Sequence, residues 1–209
     1  MDQRFKGINA TVVGWQGANK ALSDAGVKTQ TAVSGKGLIL LGKDATESEL
    51  DQSLKAVKDQ GANLVIAFDS LLAVKLYKKG LLSEPVETWG GVQTEYWNGN
   101  GAGYIDRFGG SQAIASGGVI NTRTWEATGD PIGFYPFRST YLQKAYGLYF
   151  ARQFKRDERI PERNNTLILI GELEYGKGKI LLNPCYPVDE NSAFADMLFF
   201  NMVEQYIKF

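Results

Sequence analysis

The first eighty residues alternate between short runs of apolar residues and stretches with helical spacing. Three continuous runs, ATVVG at residues 10–14, LILL at 38–41 and NLVIAF at 63–68, resemble strands that a parallel sheet buries on both faces. A helix is predicted at residues 19–25, ended by Gly26, and a further short strand at residues 27–31. This alternation of strands and helices predicts an α/β domain.

Two further helices have recognisable ends. Thr46, with Glu49 three residues later, has the spacing of a capping box, and Gly61 is predicted to end that helix. Another helix is predicted at residues 70–79, with Gly80 as its C-terminal cap. The helix that begins at Thr46 is predicted to bury Leu50, Leu54 and Val57. The helix at 70–79 is predicted to bury Leu71, Val74 and Leu76 and to expose Lys75, Lys78 and Lys79.

The pattern changes after residue 80. Residues 81–138 are rich in glycine and aromatic residues and have no clear period, which predicts an irregular aromatic-rich insertion. Helices are predicted at 139–155 and, with an amphipathic pattern, at 192–208. Between them, residues 166–175 and 179–183 predict a hairpin around Gly176-Lys177-Gly178. The helix at 139–155 is predicted to bury Leu142, Ala145, Tyr146, Tyr149 and Phe150.

Length and composition fit one globular domain over residues 1–209, of which 44% are apolar. The 23 basic and 23 acidic residues give no net field that favours nucleic acid or an anionic membrane surface. No apolar run approaches the roughly 20 residues that span a bilayer. The opening MDQRFKGINATVVG lacks the basic and long apolar regions of a secretory signal. We therefore expect neither a nucleic-acid nor a membrane partner.

The chain contains no histidine, the commonest general base and metal ligand in proteins. This excludes Ser-His-Asp and Cys-His catalysis and histidine-based zinc sites within the chain. The lone Cys185 forms neither an internal disulfide nor a thiolate cluster, and we interpret it as a structural thiol. No metal and no cofactor are expected, and carboxylates, lysine or tyrosine remain for acid–base chemistry.

The C-terminal passage GELEYGKGKILLNPCYPVDENSAFADMLFFNMVEQYI carries a family resemblance. It resembles the end of class I glutamine amidotransferase-like domains attached to bacterial glycoside hydrolases, especially family 2 and β-galactosidase-type proteins. The matching elements are Tyr175-Gly176-Lys177-Gly178-Lys179, the strand at residues 180–182, and a final helix with Leu198, Asn201 and Tyr206. The upstream order of strands and helices is similar to the flavodoxin-like half of that fold.

The resemblance implies a three-layer flavodoxin-like sheet flanked by helices, with residues 166–209 as the family-like hairpin and final helix. In active amidotransferases a cysteine on a tight strand-to-helix turn is paired with a histidine. The comparable turn here holds Asp69 and Ser70, which cannot replace that couple without a base. The resemblance therefore implies a pseudo-enzyme, with other domains of a parent glycoside hydrolase as partners and a periplasmic or secreted location.

Pairs of Asp or Glu are an alternative source of catalysis, because glycosidases use such pairs. Glu172 and Glu174 are two apart on a predicted strand and share a face, which we interpret as a solvated face beside Lys177 and Lys179. A hydrolase would need a pair about 5 to 9 Å apart in one cleft. Further candidates in the insertion are Glu87, Glu95, Asp106, Glu126 and Asp130.

Aromatic residues of the insertion are the candidate ligand-binding residues. Aromatic faces stack on the C–H faces of sugars, but they also pack in cores and between domains, and both interpretations stay open. The candidates are Trp89, Tyr96, Trp97, Tyr104 and Trp125.

Three functional hypotheses follow. The first is a non-catalytic accessory domain of a carbohydrate-degrading protein, which packs against a catalytic domain or contacts an oligosaccharide. The second is a small glycoside hydrolase that uses carboxylates alone. The third, an FMN-binding flavodoxin-like domain, ranks last because the turn that begins at Gly14 lacks the hydroxyl groups expected of a phosphate-binding loop.

Overall fold

Nine strands form one mixed sheet in the computed structural model, which describes residues 5, 7–67, 70–83, 102–105, 120–121, 137–150, 166–183 and 203. The strands are β1 Asn9–Val13, β2 Lys28–Gln30, β3 Leu38–Leu41, β4 Asn63–Ala67, β5 Ala102–Ile105, β6 Ile120–Asn121, β7 Leu142–Phe150, β8 Thr166–Tyr175 and β9 Gly178–Asn183. The helices are α1 Gln16–Asp24, α2 Glu47–Lys55, which continues into a π-helical segment Ala56–Gln60, and α3 Ser70–Lys78.

The sheet has a parallel half and an antiparallel half. Its order is β2-β1-β3-β4-β9-β8-β7-β5-β6, and the first five of these strands pair in parallel. The remaining pairs are antiparallel. The parallel order, in which β1 lies between β2 and β3, is that of flavodoxin-like folds. The predicted α/β, flavodoxin-like class is confirmed.

Helices cover both faces of the parallel half, which gives the three layers. The connection from β1 to β2 and the connection from β3 to β4 run in opposite directions along the sheet. Because both crossovers are right-handed, α1 and α2 lie on opposite faces. On the face of α2, which we call the α2 face, Ile39, Leu64 and Ile180 pack in one core with residues of α2 and α3. On the opposite α1 face the neighbouring strand residues Leu40, Val65 and Leu181 are also fully buried. Because both faces of these parallel strands are buried, their sequences are continuous aliphatic runs.

Most predictions for the first eighty residues are confirmed. The Thr46 hydroxyl accepts a hydrogen bond from the Glu49 N–H at 3.2 Å, and the Thr46 N–H donates to the Glu49 carboxylate at 2.7 Å. Gly61 ends the π-helical segment with φ of 81°. The π-helical turn itself carries no signal in the sequence.

The predicted orientation of α3 is wrong at Leu71, whose side chain is 65% exposed. The buried residues are Leu72, Ala73 and Leu76, so the apolar stripe is rotated by one position. Because leucines stand at both 71 and 72, the sequence allows an apolar stripe through either residue. Packing on the α2 face selects the stripe that contains Leu72. Lys79 does not point freely to water, because its ammonium lies 2.6 Å from Asp51 Oδ1 and 3.4 Å from Glu47 Oε1 on α2.

The helix predicted at 139–155 is also wrong, because residues 142–150 form the strand β7. This strand pairs with β8 on one side and β5 on the other. Its register with β8 shifts between Leu142 and Lys144, between Ala145 and Gly147, and between Gly147 and Leu148. These irregularities interrupt the two-residue alternation by which a strand is recognised, and long-range pairing outweighs the helical spacing.

The predicted irregular insertion, 81–138, contributes β5 and β6 to the sheet and also contains the buried residues Leu81, Leu82 and Phe137. Of the predicted final helix, 192–208, only Val203 lies within the described residues, where it is helical and buried. Cys185 lies outside them.

The capping box generates a test of stability against pH. Hydrogen bonds from the Thr46 N–H and then its hydroxyl lower the pKa of Glu49, and these outweigh the opposing effect of burial. The stabilisation is therefore present above the ordinary pKa of 4.5 and is lost as the pH falls through the lowered pKa of the folded state. We expect Thr46→Ala to lower the free energy of unfolding by about 1 kcal/mol at pH 7. Glu49→Gln should make stability less sensitive to acid.

Urea denaturation at neutral and acidic pH measures both effects. Asp59→Asn, which changes an exposed carboxylate of the π-helical segment, is the matched control. Parallel pH profiles for the wild type and Glu49→Gln would contradict the assignment.

Candidate functional site

The turn that the resemblance aligns with a catalytic elbow follows β4, a central strand of the parallel half. Strand β4 ends at Ala67 and α3 begins at Ser70, so a helix follows the strand as expected. Phe68 and Asp69, which connect them, lie outside the described residues. The carboxyl end of β4 lies at the edge where open α/β sheets hold their ligands.

The predicted aromatic candidates are not brought together within the described residues. Tyr104 lies in β5, where it pairs with Asn121 on β6 and Leu148 on β7. The others, Trp89, Tyr96, Trp97 and Trp125, lie outside the described residues. The insertion carboxylates Glu87, Glu95, Asp106, Glu126 and Asp130 also lie outside them.

The turns that follow β1 and β3 pack against each other at the carboxyl edge of the sheet. The Gly42 N–H donates to the Val13 carbonyl at 2.9 Å, and the Asp44 N–H donates to the Gly14 carbonyl at 3.2 Å. A Cβ added to Gly14 would overlap the Ala45 backbone, and one added to Gly42 would overlap Gly14 and Trp15. This position is where flavodoxin-like proteins hold FMN. The close approach of the two turns leaves no room for a Cβ between them at Gly14 and Gly42, which counts against the FMN hypothesis.

The Tyr-Gly-Lys-Gly-Lys motif has a structural explanation at the opposite edge of the sheet. The β8–β9 turn packs on the end of the π-helical segment, where the Lys177 N–H donates to the Lys58 carbonyl at 3.0 Å. Gly176 has φ of 64°, and a Cβ there would overlap the Lys58 backbone. A Cβ on Gly178 would overlap the Ala62 carbonyl. Both glycines are required by this close approach of two backbones.

Two tyrosines and a lysine lie beside this turn, and we call them the Tyr141 platform: Tyr141, Tyr175 and Lys58. The two rings meet edge to face, with centroids 5.6 Å apart and an interplanar angle of 87°. The Lys58 ammonium lies 5.8 Å from the Tyr175 ring centroid. Tyr175 packs against the core of the α2 face, whereas Tyr141 is 40% exposed. The platform therefore combines an anchored ring, an exposed ring and a cation.

The predicted solvated face of β8 is wrong at Glu172, which is only 3% exposed. Its carboxylate lies 3.1 Å from the Lys179 ammonium on β9. Glu174, two residues later, is exposed, and its carboxylate lies 3.5 Å from Gln143 Nε2 on β7. The spacing correctly predicts a shared strand face, but burial differs along it because Glu172 lies opposite Leu181 within the sheet, whereas Glu174 lies beside the hairpin turn.

Within the described ranges there is neither a metal cluster nor a helix that could span a membrane. No group of three or more Cys, Asp or Glu side chains there is placed to hold a metal ion. Among the helices described, none has the length and apolar character needed to cross a bilayer.

Comparison with protein-family models, with curated proteins and with solved structures gave no match for this chain. The family resemblance therefore remains a hypothesis that rests on the quoted residues.

The Tyr141 platform was missed by the sequence analysis. Tyr175 was part of the quoted motif, but Tyr141 was assigned to a helix, and only the pairing of β7 with β8 brings the two rings together. The available signal was an aromatic residue at the start of a segment that is rich in strand-forming tyrosine and phenylalanine.

Three alanine substitutions separate lack of space from backbone strain at the glycines. Gly178→Ala adds an overlap alone and should cost about 1–3 kcal/mol of the free energy of unfolding. Gly80→Ala adds only the strain of a positive φ, since nothing lies within 4 Å of its Cβ, and should cost about 1 kcal/mol. Gly176→Ala combines both and should cost most. Chemical denaturation measures the order, and equal losses for Gly80→Ala and Gly176→Ala would contradict the close packing.

The buried ion pair is tested by removing its cation. Lys179→Met leaves the buried Glu172 carboxylate without this ammonium, and we expect a loss of about 2 kcal/mol, reduced from a fully buried case because Lys179 is partly exposed. Adding Glu172→Gln should recover more than half of that loss. Lys177→Met, in the exposed turn, is the control. Urea denaturation that shows no recovery in the double variant would exclude a coupled pair.

Proposed function

We propose that this chain is a non-catalytic accessory domain of a bacterial carbohydrate-degrading protein. The observation that carries the proposal is the close packing of the turns after β1 and β3, where backbone lies against backbone at Gly14 and Gly42. A flavodoxin-like scaffold whose turns approach so closely at the usual ligand position is suited to a supporting role. The absence of histidine from the sequence and the resemblance to glycoside hydrolase-associated domains support the same conclusion.

The surface of α3 supports packing against a catalytic domain. Leu71 is 65% exposed and Tyr77 is 38% exposed, and both lie on this one helix. Six positions along a helix place them about 120° apart, so they offer two separate apolar contact points to a neighbouring domain. The proposed partners are the other domains of a parent glycoside hydrolase, in the periplasm or outside the cell, and an oligosaccharide.

One observation favours the alternative, a carboxylate-dependent glycoside hydrolase. Glu172 and Glu174 lie on the same face of β8, and residues two apart on a strand are separated by about 6.6 Å. One is buried and the other exposed, and different surroundings are how paired carboxylates acquire different roles. Against this, Glu172 is held by Lys179 and lies beneath the surface, away from a substrate.

A turnover assay separates the two functions. We expect the 209-residue chain to release no p-nitrophenol above the buffer blank from a panel of p-nitrophenyl glycosides, because Glu172, one of the two carboxylates, is buried and held by Lys179. Turnover that falls by about 100-fold or more in Glu172→Gln or Glu174→Gln, but not in Asp59→Asn, would instead establish the hydrolase.

Two further measurements identify the supporting role. Retarded migration in gels that contain a soluble polysaccharide would show glycan contact. In a longer polypeptide that carries this domain, Leu71→Lys should lower the melting temperature of the catalytic domain if α3 packs against it. Lys78→Glu, on the exposed surface of the same helix, is the matched control.

A further inference from the structure

We propose that the Tyr141 platform is a binding site for an acidic sugar, a hexuronic acid residue of an oligosaccharide. The sugar ring stacks on the exposed face of Tyr141, and its carboxylate pairs with the Lys58 ammonium. This inference rests on the proposed function, because it names the glycan contact of an accessory domain.

The exposed tyrosine is held in place by its main chain. The Tyr141 N–H donates to Ser139 Oγ at 3.1 Å, and its carbonyl accepts from the Glu174 N–H at 2.9 Å. The Ser139 hydroxyl in turn donates to the Leu81 carbonyl at 2.6 Å. Both polar groups of the Tyr141 backbone are therefore engaged. Because the backbone that carries the ring is already fixed, stacking a ligand on the ring costs little additional conformational entropy.

The contact between the rings leaves an aromatic face for a ligand. In an edge-to-face pair at 87°, each ring gives either its edge or one face to the other. Tyr141 therefore keeps at least one face that Tyr175 does not cover, and the ring is 40% exposed. Tyr175 is fixed in turn by the core behind it and by the close-packed turn at Gly176. Rigid support of this kind is what a preorganised site requires.

Charge beside the rings selects the class of sugar. Lys58 is exposed, and its ammonium is drawn toward the Tyr175 ring by a cation–π contact at 5.8 Å. The exposed Lys177 follows on the turn whose backbone bonds to Lys58. Asp59 on the π-helical segment and Glu174 on β8 are acidic neighbours, and Glu174 lies on the opposite face of β8 from Tyr175, so Lys58 is the charged group in contact with the rings. A carboxylate on the sugar gains a charge-assisted hydrogen bond here.

The two requirements together point to a uronic acid. A neutral sugar uses the ring but not the cation, and an inorganic anion uses the cation but not the ring. A hexuronic acid has an apolar C–H face and a carboxylate on the same small ring. One stacked ring and one exposed ion pair predict weak binding, with Kd of about 1 mM.

Amide NMR titration of the full chain with trigalacturonate tests the site. The neutral comparison is α-1,4-galactotriose, which carries hydroxymethyl groups in place of the carboxylates. We expect trigalacturonate to shift signals at Lys58, Tyr141 and Tyr175 and the neutral trisaccharide to bind at least about 10-fold more weakly. Added salt should weaken the acidic sugar selectively, because the ion pair is exposed.

Variants assign the binding to the platform. Tyr141→Ala should weaken binding at least about 10-fold and Lys58→Met about 3- to 10-fold, whereas Tyr141→Phe, which keeps the aromatic face, should retain it. Tyr77→Ala removes another partly exposed tyrosine and Lys78→Met another exposed lysine, and both should bind as the wild type does. If Tyr141→Ala does not fold, the comparison of Tyr141→Phe with Tyr141→Leu carries the test.

Several results would overturn the proposal: no shifts with trigalacturonate up to about 10 mM, equal binding of the neutral trisaccharide, or binding that persists in both Tyr141→Leu and Lys58→Met. Such a failure leaves the accessory role intact if the chain still packs on a catalytic domain or is retarded by another polysaccharide. Conversely, glycoside turnover by the chain would remove the accessory role without affecting the binding result.

Discussion

Strand β9 holds the two halves of the sheet together, because it has neighbours of opposite direction. It pairs in parallel with β4 and antiparallel with β8. Its residues Ile180, Leu181 and Leu182 are fully buried, so both faces of the sheet are covered where the halves join. The position of β9 along β4 is fixed at its first residue, Gly178, which lies against the Ala62 carbonyl. Without this approach, the antiparallel strands would lose their alignment with the flavodoxin-like half.

Close approach of backbones at glycine occurs at both edges of the sheet, with opposite consequences for function. At the carboxyl edge, Gly14 and Gly42 bring the turns after β1 and β3 into contact, at the position where flavodoxin-like proteins hold FMN. At the other edge, Gly176 allows the β8–β9 hairpin to pack on the π-helical segment, and Tyr141 is exposed beside it. The ligand surface that we propose lies at this second edge, so fold class alone would not point to it.

The sequence predicts those features of the fold that depend on neighbours in the chain. The capping box at Thr46 and the buried strands of the parallel half follow from local spacing and composition, and both are confirmed. Strand β7 was predicted as a helix because its bulges hide the alternation, and its pairing partners are distant in sequence. The candidate site is not predicted from the sequence for the same reason. The contact of Tyr141 with Tyr175 exists only in the register of β7 on β8, which no local pattern encodes.

The ion pair of Glu172 and Lys179 marks where the α1 face changes character. Across the sheet, Val65 on β4 and Leu181 on β9 are followed in register by Glu172 on β8. The apolar surface therefore ends at β9, and charge begins on the next strand. A buried pair of this kind adds little net stability, since desolvation offsets the attraction. Its effect is on register, because a slip of β8 by one residue would turn Glu172 into the core around Leu173, away from Lys179. The alignment of β7 on β8, and with it the Tyr141 platform, depends on the same register.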